Sequence, residues 1–265
     1  MPEQAETYSI LFLGDVVGRP GRQAVLKRLP SLQAEHRPLF TIVNGENAAS
    51  GVGITSDIAR DLLRSGVDAI TLGNHWARKP DIFSLLNSDA AIVRPANLSP
   101  GLPGRGWVVL EKEGVRLTVL NLMGRVHMDP CDDPFRWFND HESEWKDGHL
   151  LIDFHAEVTS EKVALGWHVD GRAAAVIGTH THVATNDARV LPGGTAVLTD
   201  VGMCGPLNSI LGMNKDVILR RFLGGLPERF EVAEGPSVIS GAVIRVQTSV
   251  GRATGIEVIR LQDES

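Results

Sequence analysis

The sequence predicts an α/β fold built around a mainly parallel β-sheet. Short, wholly apolar runs, of the kind that form strands buried on both faces, alternate along the chain with amphipathic helical segments. The first connections between them are short, as in strand–helix–strand units whose helices cover both faces of a sheet. No internal repeat, low-complexity tract or interdomain linker interrupts the 265 residues. We therefore expect a single domain over residues 1–265.

The first two units each pair a strand with a helix. The first strand ends at Asp15, and Pro20 suits the first turn of the helix that follows. The second strand, 40–43, leads through a glycine-containing loop into a helix that begins at Thr55 or Ser56. Helical spacing predicts the buried residues of the two helices: Val25, Leu26, Leu29 and Leu32 in the first, and Ile58, Leu62 and Leu63 in the second.

The middle of the chain adds a strand over 69–72, a helix over 80–86 and a β-hairpin that turns at Glu113-Gly114. Residues 128–148 are polar but carry four aromatic side chains, and we expect a helix there that lies over the sheet edge. Two interpretations of this segment stay open. It is a candidate lid over a substrate, or a surface helix whose aromatic residues pack onto the core. The aromatic residues are Phe135, Trp137, Phe138 and Trp145.

The last part of the chain contains three more apolar runs, followed by two segments whose polarity alternates. Strands are expected over 150–155, 174–179 and 195–200, with a helix over 160–169. Residues 238–246 and 254–261 alternate more nearly with a period of two, and we expect them to form antiparallel strands that complete a second sheet.

Composition limits the class of protein and its partners. The formal net charge of −6 and a pI near 5.8 do not favour a stable complex with long nucleic acids. Cys131 and Cys204 are too few and too far apart for a zinc ribbon or a disulfide framework. The N-terminus lacks a signal-peptide pattern, and no apolar run approaches the ~20 residues that span a bilayer. We expect a soluble, cytoplasmic protein with no membrane partner, and leave a homo-oligomer open.

Polar side chains follow the ends of five of the apolar runs. The carboxyl ends of strands in an open sheet meet at one edge, where α/β proteins bind their ligands. Carboxylate, amide and imidazole groups that converge at such an edge are suited to bind divalent cations. The candidate metal ligands are Asp15, Glu46, Asn47, Asn74, His155, His180 and His182.

The number and kind of these ligands suit a centre of two metal ions that hydrolyses a phosphate ester. Such a centre needs a carboxylate between the ions, with oxygen and imidazole ligands on either side. His180 and His182 form the strongest pair, because residues i and i+2 of an extended chain point the same way and can bind the same or adjacent ions. We expect His75, next to Asn74, to stay off the metals and to protonate the leaving oxygen as a general acid.

Each candidate also has an ordinary structural interpretation. An aspartate before a helix, such as Asp15, often caps that helix, and Glu46 could pair with Arg19 or Arg22. The asparagines could be turn residues, and the histidines, His75 included, could be hydrogen-bonded structural side chains. We favour the metal centre because several strands that end independently in buried polar groups would otherwise be energetically costly.

Five motifs stand in order along the chain: Gly-Asp-Val-Val-Gly (14–18), Asn-Gly-Glu-Asn (44–47), Gly-Asn-His (73–75), Asp-Phe-His-Ala-Glu (153–157) and Gly-Thr-His-Thr-His-Val (178–183). Together they resemble the motifs of the YmdB-like family, a branch of the calcineurin-like metallophosphoesterase superfamily, along nearly the whole chain. The chain departs from the general superfamily pattern in the way this branch does. It lacks a histidine after Asp15, carries Glu46-Asn47 in place of an aspartate, and has Trp76 in place of an acidic residue.

The resemblance implies an α/β sandwich of two mixed β-sheets flanked by helices. It also implies two divalent or mixed-valence metal ions, with iron favoured over manganese, magnesium or zinc, and small cyclic nucleotides as substrates, 2′,3′-cyclic nucleotides in particular. In this family His75 would donate a proton to the departing ribose oxygen. One metal ion would be held by Asp15, Glu46, Asn47 and His182, and the other by Glu46, Asn74, His155 and His180, with Glu46 bridging the two.

The function predicted from the sequence is therefore a dinuclear-metal phosphodiesterase, in which a hydroxide between the ions attacks the phosphorus of a cyclic nucleotide. A phosphomonoesterase or nucleotidase on the same ligands is the nearest alternative. A non-catalytic regulatory or RNA-binding protein with a structural metal site is a more distant one. An amidohydrolase also uses a His-x-His pair, but on the first strand of a barrel, whereas here the pair comes near residue 180.

Overall fold

The computed structural model describes residues 6–145, 147–225 and 227–263. In this part of the chain two β-sheets pack face to face, and helices cover the outer face of each sheet. Lys146, which belongs to the candidate lid segment 128–148, lies outside the described residues. The two ends of the expected domain, 1–5 and 264–265, do so as well.

The first half of the chain contributes ten of the elements. In chain order they are β1 (Thr7–Leu13), β2 (Asp15–Val16), α1 (Gly18–His36), β3 (Phe40–Asn44), α2 (Ser56–Arg64), β4 (Ala69–Thr71), α3 (Ile82–Leu86), β5 (Ile92–Val93), β6 (Trp107–Lys112) and β7 (Val115–Met123). The second half continues with α4 (Pro134–His141), a 3-10 turn (Glu142–Trp145), β8 (His149–His155), α5 (Thr159–His168), β9 (Ala175–Thr179), β10 (Arg189–Val190), β11 (Ala196–Leu198), β12 (Met203–Pro206), α6 (Lys215–Gly224), β13 (Ser237–Gln247) and β14 (Arg252–Asp263).

The first sheet has the strand order β2-β12-β13-β1-β3-β4-β5, with β14 paired to β13. Strands β1, β3, β4 and β5 are parallel, as the strand–helix–strand pattern predicts. The C-terminal pair β13/β14 is antiparallel, as expected, but the expectation that it completes a second sheet was wrong. Strand β13 instead pairs with all seven residues of β1, because the edge of β1 opposite β3 would otherwise leave its backbone groups unpaired.

The second sheet has the order β10-β11-β9-β8-β7-β6. Strands β7, β8, β9 and β11 are parallel, and β6 and β7 form the predicted antiparallel hairpin. The polar-ended strands therefore divide between two sheets instead of sharing one. Strands β1, β3 and β4 belong to the first sheet and β8 and β9 to the second, because the hairpin starts a new sheet.

Alternation along the strands builds three hydrophobic layers. In β1, Leu11 and Leu13 face the helices α1, α2 and α3, whereas Ile10 and Phe12 point between the two sheets. Helices α4 and α5 cover the outer face of the second sheet, where Phe138 is fully buried and Trp145 is 5% exposed. This burial agrees with the interpretation that the aromatic residues of the segment pack onto the core.

The buried faces of α1 and α2 match the predicted faces, with one predicted residue exposed in α1 and two only partly buried in α2. In α1, Val25, Leu29 and Leu32 are buried, but the fourth predicted residue, Leu26, is 36% exposed. Ala24 is buried instead, because it lies three residues after the buried Gly21 and therefore on the same face of the helix. In α2 the buried residues include Leu62, while Ile58 and Leu63 are partly buried. None of the helices in the described part of the chain has the length and apolarity needed to cross a bilayer.

Candidate metal centre

The carboxyl ends of the parallel strands in both sheets meet at one edge of the sandwich, and all seven candidate ligands lie there. They form one continuous network of polar contacts that also includes His75. The network comprises Asp15 at the start of β2, Glu46 and Asn47 after β3, Asn74 and His75 after β4, His155 at the end of β8, and His180 and His182 after β9.

One half of the network converges on a single atom, the Nε2 of His155. That nitrogen lies 3.0 Å from Asn74 Oδ1, 3.0 Å from His180 Nδ1 and 3.3 Å from Glu46 Oε1. The candidate ligand atoms of Glu46, His155 and His180 all lie within 4.8 Å of one another. Four residues from four different strand ends thus surround one small volume.

The other half of the network lies on the far side of Glu46. The amide nitrogen of Asn47 is 3.0 Å from Glu46 Oε1 and 2.9 Å from His182 Nε2. His182 Nε2 in turn lies 3.9 Å from Asp15 Oδ1. Glu46 therefore stands between the two groups of side chains.

The partner of His155 at its other ring nitrogen defines its tautomer. Nδ1 of His155 lies 2.8 Å from the hydroxyl of Thr179. That hydroxyl donates its own hydrogen to Asp153 Oδ1 at 2.7 Å, so it can only accept from the imidazole. Nδ1 consequently carries a hydrogen, and Nε2 is the nitrogen that faces the centre and can offer its lone pair when a metal cation replaces the proton there.

His180 and His182 are oriented in the same way by different partners. Nε2 of His180 donates to the Glu157 carboxylate at 3.1 Å, which leaves the Nδ1 lone pair facing inward. Nδ1 of His182 donates to the carbonyl oxygen of Leu211 at 3.0 Å, which leaves its Nε2 lone pair facing Asp15 and Asn47. All three imidazoles thus direct an acceptor to the centre.

An excess of acceptors and of buried negative charge makes these residues fit divalent metal ions. Asp15 Oδ1 is buried without a hydrogen-bond partner. Around the edge, four nearly inaccessible carboxylates share a single buried ammonium. Converging lone pairs and unbalanced carboxylates are costly unless cations lie among them. The carboxylates are Asp15, Glu46, Asp153 and Asp200, and the ammonium is that of Lys162.

The pKa values of the buried groups at the site are shifted in both directions. Burial, together with the neighbouring His155, lowers the pKa of His180 to about 3, which keeps this imidazole neutral. Burial lowers the pKa of His155, but the carboxylates of Glu46, Asp15 and Asp153 together outweigh burial and raise this pKa to about 9. Burial raises the pKa of Glu46, but His155 and His75 hold it well below its usual value. Burial likewise raises the pKa of Asp15 to about 6. A site that keeps a proton on a buried imidazole also favours a metal cation in the same place.

His75 is placed differently from the other histidines. Its backbone N–H donates to Glu46 Oε2 at 3.1 Å, and its Nδ1 donates to Asn47 Oδ1 at 2.9 Å. Its side chain is 27% exposed, whereas that of His155 is fully buried. The contact with His75 turns the Asn47 oxygen away from His182, so metal coordination by that oxygen requires a 180° rotation of the amide.

The ordinary structural interpretations of Asp15, Glu46 and Asn74 do not match the contacts. Asp15 does not cap α1, whose N-cap is Val17, but accepts a hydrogen bond from His180 N at 3.2 Å. Arg22 donates to the carbonyl of Ala48 and not to Glu46. Asn74 directs its side-chain oxygen at His155 Nε2 and not at its own turn.

Gly73 explains the glycine of the Gly-Asn-His motif. A Cβ at this position would lie 2.2 Å from Glu46 Oε2 and 2.3 Å from His155 Nε2. No side chain fits there, so the absence of one is what allows Glu46 and His155 to come together.

Sequence reasoning missed the residues that hold the ligands in place. Asn44 donates to Asp153 Oδ2 at 2.9 Å and accepts from the backbone N–H of Glu46 at 3.1 Å. Asp153 could have been identified because it is a charged residue inside a buried apolar strand. The signal for Asp200 was the same strand-end rule that selected the ligands, because it closes the run 195–200.

Comparison with known proteins gives a consistent result. The family described as YmdB-like protein matches residues 11–259. The 2′,3′-cyclic-nucleotide 2′-phosphodiesterase of Bacillus subtilis (strain 168) is 50% identical over 257 residues, which cover 96% of this chain and 97% of the relative.

Two solved structures share the whole architecture. A hypothetical protein from Thermus thermophilus superimposes with a TM-score of 0.91 at 43% identity, covering 96% of this chain and 99% of its own. A Mycoplasma pneumoniae protein described as a novel phosphatase also has a TM-score of 0.91, at 34% identity, with 98% and 95% covered. Both similarities extend over nearly the whole chain, and so over the sheets whose strand ends carry the candidate ligands.

Proposed function

The chain belongs to the YmdB-like protein family, and we propose that it is a phosphodiesterase that hydrolyses 2′,3′-cyclic nucleotides at a centre of two metal ions. The observation that carries the proposal is the convergence of Glu46, Asn74 and His180 on His155 Nε2 at 3.0–3.3 Å. The 50% identity with the Bacillus subtilis 2′,3′-cyclic-nucleotide 2′-phosphodiesterase supports the choice of substrate.

The arrangement of ligands supports two ions that share Glu46. Asn74, His155 and His180 lie on one side of its carboxylate, and Asp15, Asn47 and His182 on the other. When bound, two such ions neutralise the phosphate and lower the pKa of the attacking water. We propose iron for both positions, since imidazole combined with carboxylate suits it, with manganese, zinc and magnesium as the alternatives.

The chain itself supplies the proton for the leaving group. Hydrolysis adds water to phosphorus, breaks the bond from phosphorus to O2′ and places a proton on that ribose oxygen. Nδ1 of His75 faces the Asn47 amide whichever way that amide is turned, so Nε2 is the ring nitrogen that can carry the transferable proton. Glu46 Oε1 lies 3.3 Å from the same Nδ1, and the two contacts fix the orientation of the ring.

Metal content and substrate preference together test the proposal. Protein purified without chelator is expected to carry two metal ions per chain and to convert 2′,3′-cyclic AMP to 3′-AMP. Its kcat/KM for 4-nitrophenyl phosphate should be much lower. Faster hydrolysis of the monoester would favour a phosphomonoesterase, the activity named for the Mycoplasma pneumoniae structure. One ion per chain would contradict the dinuclear centre.

A further inference from the structure

Asp200, just after β11, is a buried carboxylate that lies among the ligands without being one of them. It is 2% exposed, and its two oxygens accept four hydrogen bonds. A fully hydrogen-bonded carboxylate in the interior is held in one orientation and can in turn fix the groups that donate to it.

The first group that Asp200 holds is the His180-Thr181-His182 turn. Asp200 Oδ2 accepts from the Thr181 backbone N–H at 3.0 Å and from its hydroxyl at 2.8 Å. His180 and His182 have φ angles of 104° and 65°, in the left-handed region that non-glycine residues rarely occupy. Such conformations persist only where the surroundings impose them, and the two bonds to Thr181 provide that constraint.

The second group is the backbone that places Asp15. The other oxygen, Oδ1 of Asp200, accepts from Gly202 N at 2.9 Å. The carbonyl oxygen of Gly202 accepts the backbone N–H of Asp15 at 3.1 Å. At Gly14, a Cβ would come within 1.9 Å of this carbonyl oxygen, so the two segments are in direct contact.

Lys162 of α5 balances the charge of Asp200. Its Nζ lies 2.7 Å from Asp200 Oδ2, and it is the only buried lysine among the residues that the structure describes. An ammonium bound to the carboxylate offsets the cost of burying it and occupies an oxygen that would otherwise be attractive to a metal ion. The pair thus keeps Asp200 near the ligands without making it a ligand.

We propose that Asp200, paired with Lys162, is a positioning residue for both metal positions. Through Thr181 it sets His180 and His182, which belong to different ions, and through Gly202 it sets Asp15. This role rests on the proposed dinuclear centre. It deepens that proposal, because it makes one carboxylate responsible for the relative placement of ligands on both sides of Glu46.

The test measures the binding of Mn²⁺ to metal-free protein by calorimetric titration. Asp200→Asn is expected to weaken binding at both positions by ~10–100-fold, the usual effect of losing a partner of a metal ligand. Asp170→Asn is the matched control and should bind Mn²⁺ like wild type. Asp170 also accepts backbone N–H groups, those of Gly193 and Thr195, but these precede β11, at the opposite end of the strand from Asp200, and Asp170 contacts none of the candidate ligands. Binding by Asp200→Asn within about twofold of wild type, on this scale, overturns the role.

Two further variants separate positioning from folding. If metal-free Asp200→Asn shows no cooperative unfolding transition, the single variant is not folded. The double variant Lys162→Met/Asp200→Asn then tests the positioning role, because it leaves no unpaired buried charge. Weak Mn²⁺ binding by that folded double variant supports the role, and wild-type binding overturns it. Thr181→Ser keeps the hydroxyl and should bind Mn²⁺ like wild type, whereas Thr181→Val should bind more weakly. Equal affinities of these two variants contradict the hydroxyl contact.

The titration does not depend on catalysis. A wild-type protein that binds two Mn²⁺ ions but does not hydrolyse 2′,3′-cyclic AMP would overturn the proposed function and leave the positioning role intact. If wild type is active and Asp200→Asn binds Mn²⁺ as wild type does, the positioning role is overturned and the proposed function is left intact.

Discussion

His75 is the histidine whose surroundings suit proton transfer and not metal coordination. One ring nitrogen is bonded to Asn47 Oδ1 at 2.9 Å, and a quarter of the side chain is open to solvent. The three candidate ligand histidines, His155, His180 and His182, instead have one ring nitrogen bonded to Thr179, Glu157 and Leu211, respectively, and the other ring nitrogen directed at the centre. The difference between ligand and acid thus lies in the partner of each ring.

Replacement of His75 by alanine should slow turnover without releasing metal. Loss of a general acid typically costs ~10²–10⁴-fold, so kcat for 2′,3′-cyclic AMP is expected to fall by that factor. His75→Asn, which keeps an N–H for Asn47 but has no acidic proton, should be equally slow. Metal content, measured by elemental analysis, should stay at the wild-type value in both variants.

A substrate with a good leaving group distinguishes acid catalysis from a structural role. Hydrolysis of bis(4-nitrophenyl) phosphate releases nitrophenolate, which needs no protonation at neutral pH. The His75 variants should therefore lose little activity on this diester. Equal losses on the activated and the natural type of substrate would show that His75 supports the site in another way.

Gly73 tests how closely Glu46 and His155 must approach. Gly73→Ala places a methyl group 2.2–2.3 Å from their ligand atoms, so the two side chains must separate. We expect at least ~10-fold weaker Mn²⁺ binding, comparable to other disturbances of ligand geometry. Gly224→Ala is the matched control, because its Cβ would meet nothing within 4 Å. Unchanged affinity in Gly73→Ala would mean that the pair tolerates separation.

At the scale of elements, the strands that carry the ligands could be predicted because each is an apolar run with a polar end. The short strands β2, β5, β10 and β12 could not, since two to four residues show no periodicity. The two mixed sheets flanked by helices, which the resemblance implied, are confirmed, but the assignment of each strand to one sheet or the other escaped prediction. Which strands pair is determined by contacts between distant segments, such as β1 with β13, that leave no local pattern.

The candidate ligands could be predicted for the same reason as the strands, but the groups that orient them could not. Asp153 reaches His155 only through Thr179 of the neighbouring strand, and this contact depends on the pairing of β8 with β9. The carbonyl of Leu211 reaches His182 from a loop in which Leu211 itself has a φ of 53°. Residue types alone specify neither the strand pairing nor the loop conformation. Among these groups, Asp200 met the strand-end rule, and Asp153 could have been noticed as a charged residue inside an apolar strand.

Helix α4 tests whether the aromatic segment belongs to the core. Phe138 is fully buried against the outer face of the second sheet, with the Arg172 guanidinium 4.9 Å from its ring centre. Phe138→Ala should lower the free energy of unfolding in urea by about 3–5 kcal/mol. Phe222→Ala, at a position that is 82% exposed, should change it by less than about 0.5 kcal/mol. A neutral effect at Phe138 would show that α4 contributes little to the core.

At the scale of the whole molecule, the proposed metal centre would stabilise the fold separately from the hydrophobic layers. The three main layers lie between the sheets and under the helices, and the ligands lie at one edge. A metal-free chain should therefore stay folded but weakened by the buried carboxylates that no cation then balances. Metal binding to the folded state alone converts directly into stability.

Chelation followed by re-addition of metal measures that contribution. Removal with a chelator should lower Tm while the far-ultraviolet circular dichroism keeps its native form. Free Mn²⁺ at 100 times its Kd should restore about 2.7 kcal/mol for each ion bound. Glu46→Gln should abolish most of the increase, because Glu46 contacts the ligands on both sides and Gln carries no charge. The same increase in Tm for Glu46→Gln as for wild type would mean that the stabilising ions bind elsewhere, and the dinuclear centre would have to be abandoned.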